Sequence, residues 1–294
     1  MTVATRKTVE EEAAEMRTSI QEVKTELEAV KGIRAESKFL TRDHRDGRFL
    51  LSGVPEGRGY RCGDLVWITD LAVCDPLHRR YLLLPAIPVD LTAAVDQPSI
   101  IDFEPFLAPA GEGDKDTSFR VFCLAQCATK LVLFVFSSSV GRWRAVTFDS
   151  WGALVTGPGD PASGSELSQR YFAHKSFYWL MHRRNKLLVL STSGMEFSTL
   201  ELPQDHPGGE IAIVEAGGGN LGMFSLCSVI AHGTVYLSYA IFRDDCGRAN
   251  QWHSELIPMP KRRYDIMGVA GGYLLVQGVP KGISLVDLLR IQNQ

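Results

Sequence analysis

The apolar positions of the chain change rhythm once. Near the N-terminus they fall at Val9, Ala13, Met16, Ile20, Val23, Leu27 and Val30, in alternating steps of four and three. This is the heptad rhythm that keeps one seam on one side of a helix. Start and stop signals frame the same stretch. Thr8 and Glu11 have capping-box spacing, Glu10 to Glu12 sit where the helix dipole is positive, and Lys31 with Gly32 suits the other end. A helix this short is marginal alone, so its seam is expected to bury against a second copy, a partner helix or the body of its own chain, with association the favoured outcome.

Beyond Ser37 the pattern becomes short apolar runs separated by Gly, Pro, Asp and Ser. Examples are Phe49 to Val54, Leu65 to Cys74, Phe119 to Ala125 and Lys130 to Phe136, then Phe177 to Leu180, Leu187 to Leu190, Ile211 to Ala216 and Met223 to Ile230. Runs of this length, rich in β-branched and aromatic residues, predict an all-β body. No amphipathic helix of useful length lies between them, which argues against a parallel sheet with crossover helices.

The runs recur as a unit in which an apolar strand, a polar turn and an aromatic strand lead toward proline. The copies read AVCDPLHRRYLLLP, LFVFSSSVGRWRAVTF, LLVLSTSGMEFSTLELP and YAIFRDDCGRANQWHSELIP, and their aromatics Tyr81, Trp143, Phe197 and Trp252 are 62, 54 and 55 residues apart. This period predicts a kelch-like β-propeller of five to six blades, each aromatic packing between sheets. The expected organisation is a helix and charged linker over residues 1–38 and a propeller over 39–294. The leading piece Phe39 to Val54 and the C-terminal piece Ile266 to Ile291 are each too short for a blade and are expected to complete one together.

Composition narrows the class without naming an activity. A net charge of -3 over 294 residues offers no concentrated basic face for a nucleic-acid backbone. The longest apolar run, Leu131 to Phe136, is far short of a membrane span. With no signal-peptide core in the first 40 residues, the expected setting is intracellular, cytoplasmic or nuclear, with no membrane partner. The six cysteines contain no C-x-x-C pair and are read as free thiols, mostly buried.

Candidate chemistry is sparse. Gly217, Gly219 and Gly222 match a dinucleotide-loop spacing after a strand-like run, but β-branched and aromatic residues follow where that loop requires a helix, so a glycine hairpin is expected. The seven histidines are isolated, and Cys123 and Cys127 would lie about 13 Å apart on one strand face, too far to share an ion. No catalytic residue, metal site or cofactor is assigned. Three basic clusters remain: His78, Arg79 and Arg80; His182, Arg183 and Arg184; and Lys261, Arg262 and Arg263. Each falls at a predicted turn, and on a shared rim they would hold an acidic or phosphorylated partner segment through arginine contacts.

Several segments match a known family. AVCDPLHRRYLLLPAIP resembles the DP–R–LP segment of plant F-box-associated propeller domains, and SFYWL followed by NKLLVLSTSGMEFSTLELP, then VEAGGGNLGMFSL, resemble later segments in the same order. The similarity is greatest to grass members. It implies a substrate-recognition propeller of a ubiquitin ligase, binding a protein target. An F-box itself consists of Leu- and Pro-rich helices, whereas residues 1–40 contain Leu27 and Leu40 as their only leucines and no proline. The F-box is therefore expected to be missing, and the chain is not expected to bind the ligase adaptor alone. The reading is a non-enzymatic protein-protein interaction module with an unknown protein target. The alternatives are a hydrolase-like propeller enzyme with an unidentified site, or an inert or dominant-negative relative of F-box proteins.

Overall fold

The computed structural model describes Thr18, Gln21, Thr25 and residues 37–55, 70–95, 100–111, 113, 115, 117–155, 167–181, 184–203, 206, 210–229, 234–243, 251–260, 263–270, 273–279 and 285–290. Thr18, Gln21 and Thr25 are helical and exposed, and the Thr25 hydroxyl donates to the Gln21 carbonyl at 2.9 Å. The seam residues Val9, Ala13, Met16, Ile20, Val23, Leu27 and Val30 lie outside the described residues.

From Ser37 onward the chain is all-β. It divides into two compact units, Met1–Ser165 and Glu166–Gln294, where the sequence suggested one continuous body. The first unit holds two four-stranded sheets: β1 (Ser37–Arg45), β2 (Arg48–Pro55), β3 (Leu71–Asp75) and β4 (Arg80–Leu83), then β5 (Ile100–Ala108), β6 (Arg120–Cys127), β7 (Leu131–Ser137) and β8 (Arg142–Phe148). The second unit holds β9 (Leu167–Ala173), β10 (Ser176–Met181), β11 (Lys186–Ser191) and β12 (Phe197–Glu201) in one sheet. Its second sheet comprises β13 (Ile211–Glu215), β14 (Leu221–Val229), β15 (Thr234–Arg243) and β16 (Gln251–Met259). A three-stranded sheet, β17 (Arg263–Ala270), β18 (Tyr273–Val279) and β19 (Leu285–Arg290), follows. Every sheet is an antiparallel meander in chain order. Two short helices, α1 (Val89–Thr92) and α2 (Trp151–Val155), flank the second sheet in sequence.

This arrangement corrects one expectation. The leading piece and the C-terminal piece do not share a sheet: Phe39 to Val54 supplies β1 and β2 of the first sheet, while β17 to β19 form a sheet of their own. The leading piece finds its partners nearby because Leu50 and Leu51 pair with Val73 and Ala72.

The central strands explain the apolar runs. β6 is buried along its whole length and β7 over residues 131–136, so both faces must be apolar and no alternation survives. The outer strand β8 alternates instead, with Trp143 buried between exposed Arg142 and Arg144. In the first unit β1 lies beside β5; in the second, β9 lies beside β13 and β13 beside β17, so the first strands of neighbouring sheets face one another. Carboxylates tie these first strands together. Asp43 on β1 accepts the Leu107 N–H of β5 at 2.9 Å, Glu215 accepts the His174 N–H at 2.8 Å, and Glu210 accepts the Ile266 N–H of β17 at 2.9 Å. Such bonds to a charged acceptor are stronger than neutral ones.

Candidate functional site

The site is built on a hairpin repeated between the third and fourth strands. In three sheets a residue in the left-handed region stands two places before the aromatic: Arg79 (φ 48°) before Tyr81, Gly141 (φ 71°) before Trp143, and Met195 (φ 56°) before Phe197. The turn closes with the N–H of Gly141 on the Ser137 carbonyl at 2.7 Å and that of Met195 on the Ser191 carbonyl at 2.9 Å. A residue with a short oxygen-bearing side chain opens each turn. Asp75 accepts the His78 N–H at 3.2 Å and Ser191 accepts that of Gly194 at 3.4 Å, which is why Asp and Ser stand there.

The aromatic opens the fourth strand (Phe197) or stands one residue into it, in each case opposite the third strand: Tyr81 faces Cys74, Trp143 faces Phe136, Phe197 faces Leu190 and Trp252 faces Phe242. The two tryptophans reach the preceding sheet. Trp143 Nε1 donates to the Pro85 carbonyl at 2.8 Å, and Trp252 Nε1 donates to the Glu201 carbonyl at 2.7 Å. The Leu-Pro pair that ends a fourth strand also has a role, since Leu84 and Leu202 are buried and bond back to Leu71 and Asn185.

Not all four aromatics are core. Trp143 is buried, Phe197 and Trp252 are half-buried, and Tyr81 is exposed. All of β4 is exposed, with Leu82 and Leu83 at 44% and 42% and Leu77 of the preceding turn at 74%. The sequence pattern placed Tyr81 between sheets, and YLLL has no alternation from which to tell an outer strand from a central one. The structure thus adds Leu77, Tyr81, Leu82 and Leu83 to the basic residues beside them.

Of the three basic clusters, the first is fully described. Asp75 takes the His78 ring Nδ1 at 2.8 Å, whereas no ion pair to Arg79 or Arg80 is present among the described residues. His182 and Arg183 lie outside the described residues, and Arg184 closes the β10–β11 turn through its N–H on the Met181 carbonyl at 3.3 Å. Lys261 and Arg262 also lie outside them, and Arg263 opens β17. The clusters thus occupy unlike places in their own sheets: a turn between third and fourth strands, one between second and third, and the entry to a first strand.

The glycine motif is a hairpin. Gly217–Gly219 forms a single turn between β13 and β14, with Gly218 and Gly219 at φ 69° and 79°, and a strand follows it. Gly222 is required for a different reason, since a Cβ there would stand 2.6 Å from Val214 Cγ2. His174, at the β9–β10 turn, clamps this hairpin through its Nε2 on the Asn220 carbonyl at 2.7 Å.

Among the described residues no three His, Cys, Asp or Glu side chains gather as a metal site. Cys74, Cys123 and Cys127 are buried and Cys227 is half-buried; burial pushes the Cys123 thiol far above its ordinary value. Burial, then the Glu210 carboxylate, pushes the Tyr171 phenol up to about 12, and its hydroxyl donates to the Ile211 carbonyl. Tyr178 and Tyr239 are raised chiefly by burial as well. These tyrosines stay neutral, and Tyr171 serves as a hydrogen-bond donor between β9 and β13.

The fold and this surface define a class: an all-β chain of meander sheets with a basic, apolar outer edge on the first. No protein-family model matches the chain, and no curated protein matches it. Among solved structures it is similar to a mutant NanB sialidase of Streptococcus pneumoniae, at 12% identity over 79% of this chain and 32% of that one, TM-score 0.35. It is also similar to prolyl oligopeptidase B of Galerina marginata, at 11% identity over 89% and 38%, TM-score 0.37. A third is AztD of Citrobacter koseri, at 11% identity over 87% and 72%, TM-score 0.33. The chain spans about a third of the first two proteins, and likeness at this level bears on neither activity nor site.

Among the described residues no helix is long and apolar enough to cross a membrane.

Proposed function

We propose that the chain is a non-enzymatic protein-protein interaction module, its sheets the blades of a β-propeller resembling the substrate-recognition domain of plant F-box proteins. It holds a protein target on the first sheet's outer edge. The observation that carries this reading is Arg79. It is exposed and takes a left-handed backbone that the equivalent turns give to Gly141 in the second sheet and to the buried Met195 in the third. A non-glycine residue there costs roughly 1 kcal/mol, and strain of this kind persists where the side chain is used.

Around it, Leu77, Arg80, Tyr81, Leu82 and Leu83 supply the mixture of apolar area and bidentate donors found at binding hot spots. The target chemistry that fits is an acidic segment with apolar side chains. The full chain, immobilised, should retain a protein from plant extract that an R79E/L82D variant does not. If both retain the same proteins, the target binds elsewhere.

A further inference from the structure

We infer that the target pairs with β4 as an added antiparallel strand, an extended segment in which β-branched or aromatic residues are followed by acidic ones. The inference rests on the reading of the site given above and names how that site holds its partner. Three observations carry it.

The first is an open edge. Bonds from β3 alternate between its two neighbours: the Asp70 carbonyl accepts the Gly53 N–H of β2 at 2.9 Å, and the Leu71 carbonyl accepts the Leu84 N–H at 2.8 Å. In this register the backbone of Arg80 and Leu82 bonds to β3, and the N–H and C=O groups of Tyr81 and Leu83 point away from the sheet. Among the described residues no strand pairs with β4 on that side. Two residues beyond Leu83, the Pro85 carbonyl takes a donor from outside the sheet, the Trp143 indole N–H at 2.8 Å.

The second is what the other outer strands have and β4 lacks. β8 carries exposed Arg142 and Arg144, and β12 carries exposed Glu201. β16 exposes Leu256 and Ile257, but Pro258 follows them and has no N–H to offer. Charge and proline of this kind keep an edge from pairing with another chain. Past Arg80, β4 presents only Tyr81, Leu82 and Leu83, all exposed, and an apolar edge with free backbone groups is a template for a strand.

The third is the place of the charge. Arg80 stands opposite Asp75, yet that carboxylate is taken by the His78 ring at 2.8 Å, and neither Arg79 nor Arg80 has an ion pair among the described residues. A strand laid antiparallel on β4 meets Leu83, Leu82 and Tyr81 first and the two arginines last. Apolar residues followed by acidic ones therefore make complementary cross-strand pairs throughout.

The test uses the full chain and the capped peptide Ser-Val-Thr-Val-Glu-Glu-Gly, with amide hydrogen exchange read residue by residue. At millimolar peptide the Tyr81 and Leu83 amides should slow about tenfold, while those of Arg80 and Leu82, already held by β3, keep their rates. N-methylation of both valines, whose amides face β4 in this register, should abolish the protection, and N-methylation of the threonine and first glutamate should leave it. L83P removes an outward N–H without touching a bond to β3. It should bind the peptide about tenfold more weakly than L83A, which loses the side chain and keeps the amide. If L83P disturbs β4, seen as faster exchange at Arg80 and Leu82, the two N-methylated peptides decide.

Unchanged exchange at Tyr81 and Leu83, equal effects of the two N-methylated peptides, or equal binding of a peptide with lysines in place of the glutamates overturns the inference. So does protection in the free chain that grows with protein concentration, which assigns the edge to a second copy. A target lost in the R79E/L82D variant but retained equally by L83P and L83A sinks strand pairing and leaves the target reading standing. Peptide pairing with no retained target does the reverse.

Discussion

Trp143 and Trp252 are the same latch built in two units. Each stands one residue into the fourth strand of its sheet, 5.3 Å from a phenylalanine of the third strand at interplanar angles of 53° and 52°. Each gives its indole N–H to a carbonyl at the end of the preceding sheet's outer strand or just past it. The agreement arises because the hairpin turn sets the register and the register sets where the ring lands.

Replacing Trp143 by Phe keeps an aromatic ring and removes the bond to Pro85, so it should cost about 1 kcal/mol in urea unfolding. Trp143→Ala should cost about 3 to 5 kcal/mol, since the ring is buried. Trp252→Ala should cost less, because Trp252 is only half-buried.

The carboxylate ties between first strands are testable by isosteric change. Asp43→Asn leaves a neutral acceptor for the Leu107 N–H and should lower stability by about 1 kcal/mol. Glu210→Gln should do the same at Ile266, measured by denaturant midpoint.

Two glycine substitutions in one hairpin should fail for different reasons. Gly222→Ala drives a methyl against Val214 and should cost about 1 to 3 kcal/mol through displaced packing. Gly219→Ala meets no atom within 4 Å and should cost about 1 kcal/mol, through its left-handed backbone alone. A Val214→Ala background should relieve the closest contact of the first, the Tyr239 ring still standing 3.2 Å from the added Cβ, and leave the second unchanged.

Stability should fall above pH 10. The Tyr171 phenol is raised to about 12 in the folded chain, so its contribution is fully present below the ordinary tyrosine value of 10.0 and is lost as pH rises through 12. Tyr178 and Tyr239 are raised too and act in the same direction. Melting temperatures followed from pH 8 to pH 11 should decline less steeply in Tyr171→Phe than in the wild type.

Arg79→Gly should raise stability, by up to about 1 kcal/mol, because the turn already has the backbone glycine prefers. The same substitution should weaken retention of the target. Thermal unfolding and pull-down on one preparation check both, and a loss of stability would mean the arginine is held for packing.

What the sequence disclosed and what it hid divide along the sheets. The second and third strands were legible as apolar runs because β6 and β7 are buried and β10 and β11 largely so. The first strands β1, β5 and β9 were missed. They carry charged and polar residues such as Asp43, Asp102 and Arg170, and bulges at Arg42 and Ile101 shift the phase of alternation midway through β1 and β5. The aromatic repeat was read in register because tight turns fix its spacing. The exposure of β4 was hidden, because whether an apolar strand is central or outer is set by the number of strands beyond it, which no local pattern records.

The chain-order pairing of every sheet has a kinetic consequence. Among the described residues each ladder joins a strand to the one just before or after it. Loop closure is therefore short throughout, and no strand must wait for a distant one before its backbone is paired. During synthesis β4 can close on β3 while β5 is still being made, so assembly is vectorial. A destabilising change late in the chain should then slow only the sheets that follow it, leaving a native first unit as the species that accumulates.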